Sequence, residues 1–143
     1  MSDQLIEFFG NNHILVLAFV GLLGFTLYNE YRLASRKFQN LTPMMAVKQM
    51  NDDDNFVVLD VREPNETAGG KIRDAIQIPV GSVMKRIGEI EKYKEKPILV
   101  YCRTGSRSAI ACNNLIKQGF TNVHNLAGGI TAWMDDHLPT SKK

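Results

Sequence analysis

The sequence predicts an α/β domain, with a mostly parallel sheet covered by helices on both faces, preceded by one N-terminal transmembrane helix. Three observations carry this prediction. Apolar, β-rich runs alternate with helical patterns along residues 38–139, as in proteins with parallel sheets. One of these runs, residues 56–59, is apolar throughout, which is typical of a strand buried on both faces. A charge-free run, residues 8–29, lies before the domain.

The charge-free run is predicted to span a membrane. As a helix rising about 1.5 Å per residue it reaches about 33 Å, against a hydrocarbon core of about 30 Å. A cleaved signal peptide is one alternative, but no Lys or Arg precedes the run and no A-x-A-like site follows it. A buried core helix is the other, but no polar face marks the stretch from Ile14 to Leu27.

Flanking charges predict the orientation of this span. The basic segment 32–37 follows the N-terminal segment 1–31, in which only Asp3 and Glu7 precede the span. The positive-inside rule therefore places the N-terminus outside and the domain in the cytoplasm. Two cysteines without C-x-x-C spacing agree with a reducing compartment. We expect residues 32–37 to form a solvated juxtamembrane linker and residues 140–143 a tail.

The strands and helices of the domain are predicted from its apolar runs and from the proline, glycine and capping residues that bound them. The predicted strands cover residues 38–41, 56–59, 75–78, 97–101 and 122–126. Predicted helices begin at Pro43 after the N-cap Thr42, at Ser82, near Ser106 or Arg107, and at Gly128–Gly129. The helix from Ser82 carries Val83, Ile87 and Ile90 on one stripe. Trp133 is predicted to anchor the last helix in the core.

One loop carries the candidate chemistry. The strand at residues 97–101 runs directly into Cys102, and a helix begins a few residues later. In such a turn successive backbone N–H groups converge on one point, and the positive end of the helix adds to them. Helix N-termini and nearby arginines lower a cysteine pKa from about 8.5 to roughly 3.5–7.5. The sequence therefore predicts a thiolate in an anion cradle.

The candidate binding residues are the rest of this loop: Arg103, Thr104, Gly105, Ser106 and Arg107. Their backbone N–H groups and the hydroxyls of Thr104 and Ser106 are the predicted donors to an anion. Gly105 lets the loop curl, because glycine tolerates positive φ. Arg103, at the mouth, is predicted to recruit an anionic substrate. Arg107 is predicted to orient the loop and the anion.

Other polar residues are assigned structural roles. Asp60 and Arg62 follow the second strand at its C-terminal end, where ligand sites of open α/β sheets collect. We expect them to pair with each other or to cap loops, and direct support of the chemistry is the alternative. Cys112 is predicted to be a buried apolar residue, with a resolving thiol as the alternative. His124 and His137 are predicted to be structural.

Charge and composition exclude several classes of partner. The net charge is +2, with 17 basic and 15 acidic residues mixed along the 143-residue chain. No basic stripe with interleaved aromatic residues appears, which argues against nucleic acid. The acidic run at residues 52–54 is read as a solvated turn, and no metal or organic cofactor is implied.

Four motifs in order resemble those of the rhodanese sulfurtransferases. The loop has four residues between Cys102 and Arg107, as in that family, whereas cysteine-dependent phosphatases have five. The other motifs are LDVREP at 59–64, GKIRDAIQIP at 70–79 and LAGGITAW at 126–133. Lys71 stands where the family usually has histidine, and Asp74 where it has glycine, so the detail of that turn is expected to differ.

The resemblance implies a five-stranded rhodanese fold and sulfur transfer through a persulfide on Cys102. The donor would be thiosulfate or a small persulfide, and the acceptor a thiol or protein nucleophile. The added N-terminal helix resembles the single-domain, membrane-anchored rhodaneses of bacteria, which implies the inner membrane. The alternative is a membrane-tethered interaction module for membrane proteins, with little turnover of its own. The short loop disfavours a phosphatase.

Overall fold

The computed structural model describes residues 1–34 and 38–142. The chain divides into two compact units, residues 1–36 and 37–143. All of the α/β domain predicted for residues 38–139 is thus described. Residues 35–37 of the predicted linker and Lys143 of the predicted tail lie outside the described residues.

The N-terminal unit contains two helices, α1 (Ser2–Asn11) and α2 (His13–Ala34). The charge-free run of residues 8–29 therefore extends over parts of both helices, because Asn12 interrupts the helix with φ −122° and ψ 30°. The Asn12 side chain donates to the Phe8 carbonyl at 3.0 Å, and such local amide bonds compete with helix continuation. The stretch His13–Tyr31 is long and apolar enough to cross a membrane, with mean hydropathy 1.6, and none of it is buried.

The second unit is built on a five-stranded parallel sheet. The strands are β1 (Gln39–Leu41), β2 (Val57–Asp60), β3 (Ile76–Gln77), β4 (Ile98–Tyr101) and β5 (Val123–Leu126). Their order is β1-β5-β4-β2-β3 and every pairing is parallel. The predicted five-stranded, mostly parallel sheet is therefore confirmed, with each strand within two residues of its expected position.

Helices cover both faces of this sheet. They are α3 (Pro43–Asp52), α4 (Pro64–Thr67), α5 (Ser106–Lys117) and α6 (Gly129–Asp135). Successive residues of β4 alternate between two buried clusters, as the period of a strand requires. Ile98 and Val100 join the cluster that contains Leu115 of α5, whereas Leu99 joins the cluster that contains Trp133 of α6. Because both faces are covered, β4 is buried at every position.

The helix predicted from Ser82 is absent from the described structure. This segment instead forms three 3₁₀ turns, Val80–Ser82, Ile87–Glu89 and Glu91–Tyr93. Its apolar stripe is nevertheless buried as expected, with Val83 and Ile90 fully inside. Gly81 and Gly88 disfavour a continuous α-helix, since each glycine costs about 1 kcal/mol relative to alanine. Burial of the stripe is compatible with either helix type, so periodicity alone did not separate them.

The turn before β3 contains the two departures from the family pattern. Asp74, where glycine is usual, has φ +58°, and aspartate is one of the residues that tolerates this left-handed region. Lys71 pairs with Ser141 through two backbone hydrogen bonds of 2.8 and 2.7 Å. Both positions thus serve the backbone of this turn.

Candidate active site around Cys102

Cys102 lies where β4 ends and the loop to α5 begins. Parallel strands bring their C-terminal ends to one edge, so the end of β2 with Asp60 lies beside the end of β4. Gly105 closes the loop at the N-cap position of α5 with φ +104°, a conformation that glycine adopts readily. The predicted helix start near Ser106 is confirmed.

Helix α6 fixes the direction of the peptide groups in this loop. The backbone N–H of Ile130 donates to the Cys102 carbonyl at 2.9 Å, and that of Thr131 donates to the Arg103 carbonyl at 3.2 Å. The Thr131 hydroxyl also donates to the Arg103 carbonyl, at 3.0 Å. Because the N–H and C=O of a planar trans peptide point in opposite directions, the N–H groups that follow these two carbonyls point away from α6, and that of Thr104 interacts with the sulfur.

The Cys102 sulfur accepts the backbone N–H of Gly105 at 3.1 Å. The hydroxyl oxygen of Ser108 lies 3.4 Å from the same sulfur. Burial by itself raises the pKa of this thiol. Hydrogen bonds from the Ser108 hydroxyl and from the backbone N–H groups of Ser108, Gly105 and Thr104 outweigh burial, so the pKa lies below its ordinary value.

The sulfur is covered by the loop in this structure. Cys102 is 1% exposed and belongs to the buried cluster between the sheet and α5. A cavity of ≈490 Å³ opens beside the loop, lined by Arg103, Thr131, Met134 and neighbouring residues but not by Cys102. A donor therefore reaches the sulfur only if the cysteine side chain rotates or the loop moves.

The loop side chains take three different positions. Arg103 is exposed and lines the cavity, with no ion-pair partner among residues 1–34 and 38–142. Thr104 and Ser106 lie with their hydroxyl oxygens 3.4 Å apart on the surface. Neither hydroxyl forms a hydrogen bond to the Cys102 sulfur in the described part of the chain, and their contact with an anion stays a prediction.

Ser108 supplies the hydroxyl that contacts the sulfur, and sequence analysis missed it. The residue is fully buried and shares the inner face of α5 with Ala111, Cys112 and Leu115. The sequence signal that could have identified Ser108 is its place as the first, polar residue of an otherwise apolar i, i+3, i+4, i+7 pattern. Cys112 is buried, as predicted, and burial raises the pKa of its thiol well above the usual range.

Arg107 turns toward α4. Its guanidinium donates two hydrogen bonds of 2.7 Å to the carboxylate of Glu66. Glu66 also accepts the Glu63 backbone N–H at 2.9 Å, as part of a capping box at the start of α4. Mainly because of the Arg107 hydrogen bonds, the pKa of Glu66 is lowered to about 2. This geometry favours the loop-orienting role predicted for Arg107.

Asp60 and Arg62 pair with each other, with 2.7 Å between the Arg62 Nη2 and Asp60 Oδ2 atoms. Tyr101 donates to the same Asp60 oxygen at 2.7 Å and accepts the backbone N–H of Ile72 at 3.0 Å. Arg62 also donates to the Gly70 carbonyl at 2.8 Å. The network ties the ends of β2 and β4 to the segment between β2 and β3, and pairing of Asp60 with Arg62 is the outcome that we expected first.

A cysteine at a strand–helix turn, facing backbone N–H groups at the edge of a parallel sheet, defines a class of thiol-dependent group-transfer domains. The model of the rhodanese-like domain family matches residues 45–136. The chain belongs to this family, as its four motifs indicated.

Relatives and solved structures agree with this assignment. A sulfurtransferase of Allochromatium vinosum is 40% identical over 92 residues, covering 64% of this chain and 84% of that protein. The uncharacterized protein YibN of Escherichia coli K12 is 30% identical over 138 residues, 96% of each chain. The crystal structure of a rhodanese-related protein from Thermoplasma volcanium has a TM-score of 0.67 and 28% identity, covering 74% of this chain and all of that one.

Proposed function

We propose that this protein is a membrane-anchored sulfurtransferase that carries a sulfane sulfur as a persulfide on Cys102. The observation that carries the proposal is the Gly105 N–H group 3.1 Å from the sulfur, in a loop whose N–H groups lower the thiol pKa. A thiolate is the nucleophilic form of cysteine, and the family match supports sulfur as the group transferred.

Two displacement steps account for the transfer. The Cys102 thiolate attacks the outer sulfur of thiosulfate, the S–S bond of the donor breaks, and sulfite leaves with the electron pair. A thiol or protein nucleophile then attacks the outer sulfur of the Cys102 persulfide, and the cysteine leaves as a thiolate. A small persulfide donor follows the same scheme, with a thiolate as the leaving group. The scheme needs no metal or organic cofactor.

The loop residues have distinct roles in this scheme. The backbone N–H groups hold the negative charge of the outer sulfur when the side chain presents it to the loop. Arg103, exposed and unpaired within the described structure, recruits the anionic donor. Arg107 holds the first turn of α5 through Glu66. Asp60 and Arg62 support the loops from one side.

The N-terminal helix anchors the domain in this proposal. The stretch His13–Tyr31 meets the length and composition for a span, and the basic residues of segment 32–37 follow it. The positive-inside rule then gives an N-terminus outside the bacterial inner membrane and residues 38–139 in the cytoplasm. Reducing conditions there keep Cys102 free.

A second candidate is a membrane-tethered interaction module for membrane proteins. The observation that favours it is the 1% exposure of Cys102, which blocks donors in this conformation. In that case the domain binds partners with little turnover of its own. Tethering would place such partners in the same membrane.

Mass spectrometry of the intact protein separates the two. After incubation with thiosulfate, the wild type should gain one sulfur that dithiothreitol or cyanide removes. Cys102→Ser should gain none, and Cys112→Ser, which alters the buried thiol, should gain one. A wild type that gains no sulfur, yet captures the same cross-linked membrane proteins as Cys102→Ser, would establish the interaction module. Cys102-dependent hydrolysis of an aryl phosphate would establish a phosphatase.

A further inference from the structure

The Ser108 hydroxyl lies between two groups that compete for its proton. Its oxygen is 2.6 Å from the side-chain carbonyl oxygen of Asn125 on β5. The Cys102 sulfur is 3.4 Å from the same hydroxyl oxygen. A hydroxyl has one proton to donate. It can therefore donate to Asn125 or to the sulfur, but not to both.

The orientation of the Asn125 amide is fixed by its neighbours. Its nitrogen donates to the Gly105 carbonyl at 3.2 Å and to the Asn40 side-chain oxygen at 3.1 Å. A backbone carbonyl can only accept, so the amide nitrogen must face Gly105 and the amide oxygen must face Ser108. With Asn125 held this way, Ser108 donates to Asn125, and its lone pairs face the sulfur. The cysteine then fits this arrangement as an S–H donor.

We propose that Asn125 competes with the Cys102 thiolate for the Ser108 proton, and so acts as a positioning residue that opposes ionisation of the resting cysteine. The Ser108 hydroxyl adds to the backbone donors of the thiolate only if it turns from Asn125 to the sulfur. That turn leaves the buried Asn125 oxygen without its donor, which is unfavourable. The inference rests on the proposed function in that Cys102 is the reacting group, but it concerns ionisation and not sulfur transfer.

Among the described residues, no other charged or titratable side chain near the sulfur is hydrogen-bonded to the Asn125 side chain. Arg107 and Cys112 lie on α5, and each interacts electrostatically with Cys102. Arg103 belongs to the loop, and Asp60 at the end of β2 forms an ion pair with Arg62. His124 on β5 is stacked on an aromatic ring of the opposite cluster. A change in the Cys102 pKa on substitution of Asn125 is therefore caused either by the Ser108 hydroxyl or by a change in the loop.

A double-mutant cycle separates these two routes. The readout is the pKa of Cys102 in the full chain, from the pH dependence of its alkylation by iodoacetamide, followed by peptide mapping. Asn125→Leu is expected to lower that pKa by about one unit, because the hydroxyl is then free to donate to the thiolate. Ser108→Ala is expected to raise it by a similar amount. The double variant should equal Ser108→Ala alone.

Asn40→Ala is the matched control, since it removes the other partner of the Asn125 amide without touching Ser108, and should leave the Cys102 pKa unchanged. Asn125→Ala, which adds no bulk, should reproduce the shift of Asn125→Leu. An unchanged or raised pKa in both Asn125 variants overturns the proposal. So does a decrease that persists in the Ser108→Ala background, because the loop would then be its cause. Neither result depends on whether thiosulfate delivers sulfur, which the mass measurement decides separately.

Discussion

Arg107 in the first turn of α5 and Glu66 in α4 are joined by two hydrogen bonds of 2.7 Å across 41 positions of sequence. The pair connects the helix after the thiol loop to the loop that follows β2. A bidentate arginine–carboxylate contact fixes orientation as well as distance. The position of the Cys102 loop thus depends on a residue outside all the segments that point to the chemistry.

This pair predicts a stability difference that depends on pH. The Arg107 hydrogen bonds lower the pKa of Glu66 from its ordinary value of 4.5 to about 2 in the folded protein. A depressed folded pKa contributes stability above the unfolded pKa, which is lost as pH falls through the folded one. Between pH 6 and pH 3 the wild type should lose about 1 kcal/mol more than Glu66→Gln, after allowance for solvent screening.

Fluorescence of Trp133, the single tryptophan, follows unfolding of the domain in urea and measures this difference. Glu91→Gln removes an exposed pair with Lys94 and should change stability by under about 0.5 kcal/mol. Equal losses in the wild type and in Glu66→Gln would show that the pair adds nothing to stability.

Asp60→Asn is expected to destabilise the domain by about 3 kcal/mol, because the buried Arg62 would lose its countercharge. Asp74→Asn removes an exposed pair with Arg73 and should stay within about 0.5 kcal/mol of wild type. Urea unfolding measures both. The pH dependence of Cys102 alkylation should be the same in Asp60→Asn and wild type; a shifted profile would instead give Asp60 a part in the chemistry.

Gly129→Ala should disrupt the thiol loop. A Cβ atom at this position, where φ is +60°, would overlap the backbone carbonyls of Cys102 and Arg103. We expect a loss of more than about 2 kcal/mol, from strain and overlap together, and a large loss of persulfide formation.

Gly119→Ala is the matched control for this substitution. Gly119 also has a positive φ, +93°, but nothing lies within 4 Å of a Cβ there. The Gly119→Ala variant should lose about 1 kcal/mol of its free energy of unfolding and keep its persulfide yield. If both variants keep that yield, close packing of α6 on the loop is not needed for the chemistry.

Deleting residues 1–34 should release a folded, soluble domain that still acquires sulfur. The domain has its own core on both faces of the sheet, and the candidate span lies within the deleted segment. The full chain should stay in the membrane pellet after carbonate extraction. An insoluble truncated product, or a full chain found in the supernatant, would contradict the anchor.

Features encoded in neighbouring residues could be predicted from the sequence. The apolar runs fixed the positions of the strands, and the change of pattern after Tyr101 placed the loop and the start of α5. Local chemistry also predicted the Thr42 cap, whose hydroxyl accepts the Met45 N–H at 3.3 Å. In each case the cause lies within a few residues of its effect.

Features that depend on distant residues could not be predicted. Nothing in the periodicity links Glu66 to Arg107, and the contact of Ser108 with Asn125 on β5 exists only once the sheet has formed. Burial of Cys102 depends on the apolar cluster between the sheet and α5, whose members come from distant parts of the chain. The sequence predicts Cys102 as the reacting residue, but it does not predict that this residue is 1% exposed.

The place of β1 beside β5 has a consequence for synthesis. Asn40 and Asn125 meet across these strands although they lie 85 positions apart. At about 5–20 residues per second, the ribosome needs roughly 4–17 s to deliver the second partner after the first. Throughout that interval β1 lacks its sheet neighbour β5, although α1 and α2 have already been synthesised. The sheet of the domain can therefore close only after β5 has been synthesised.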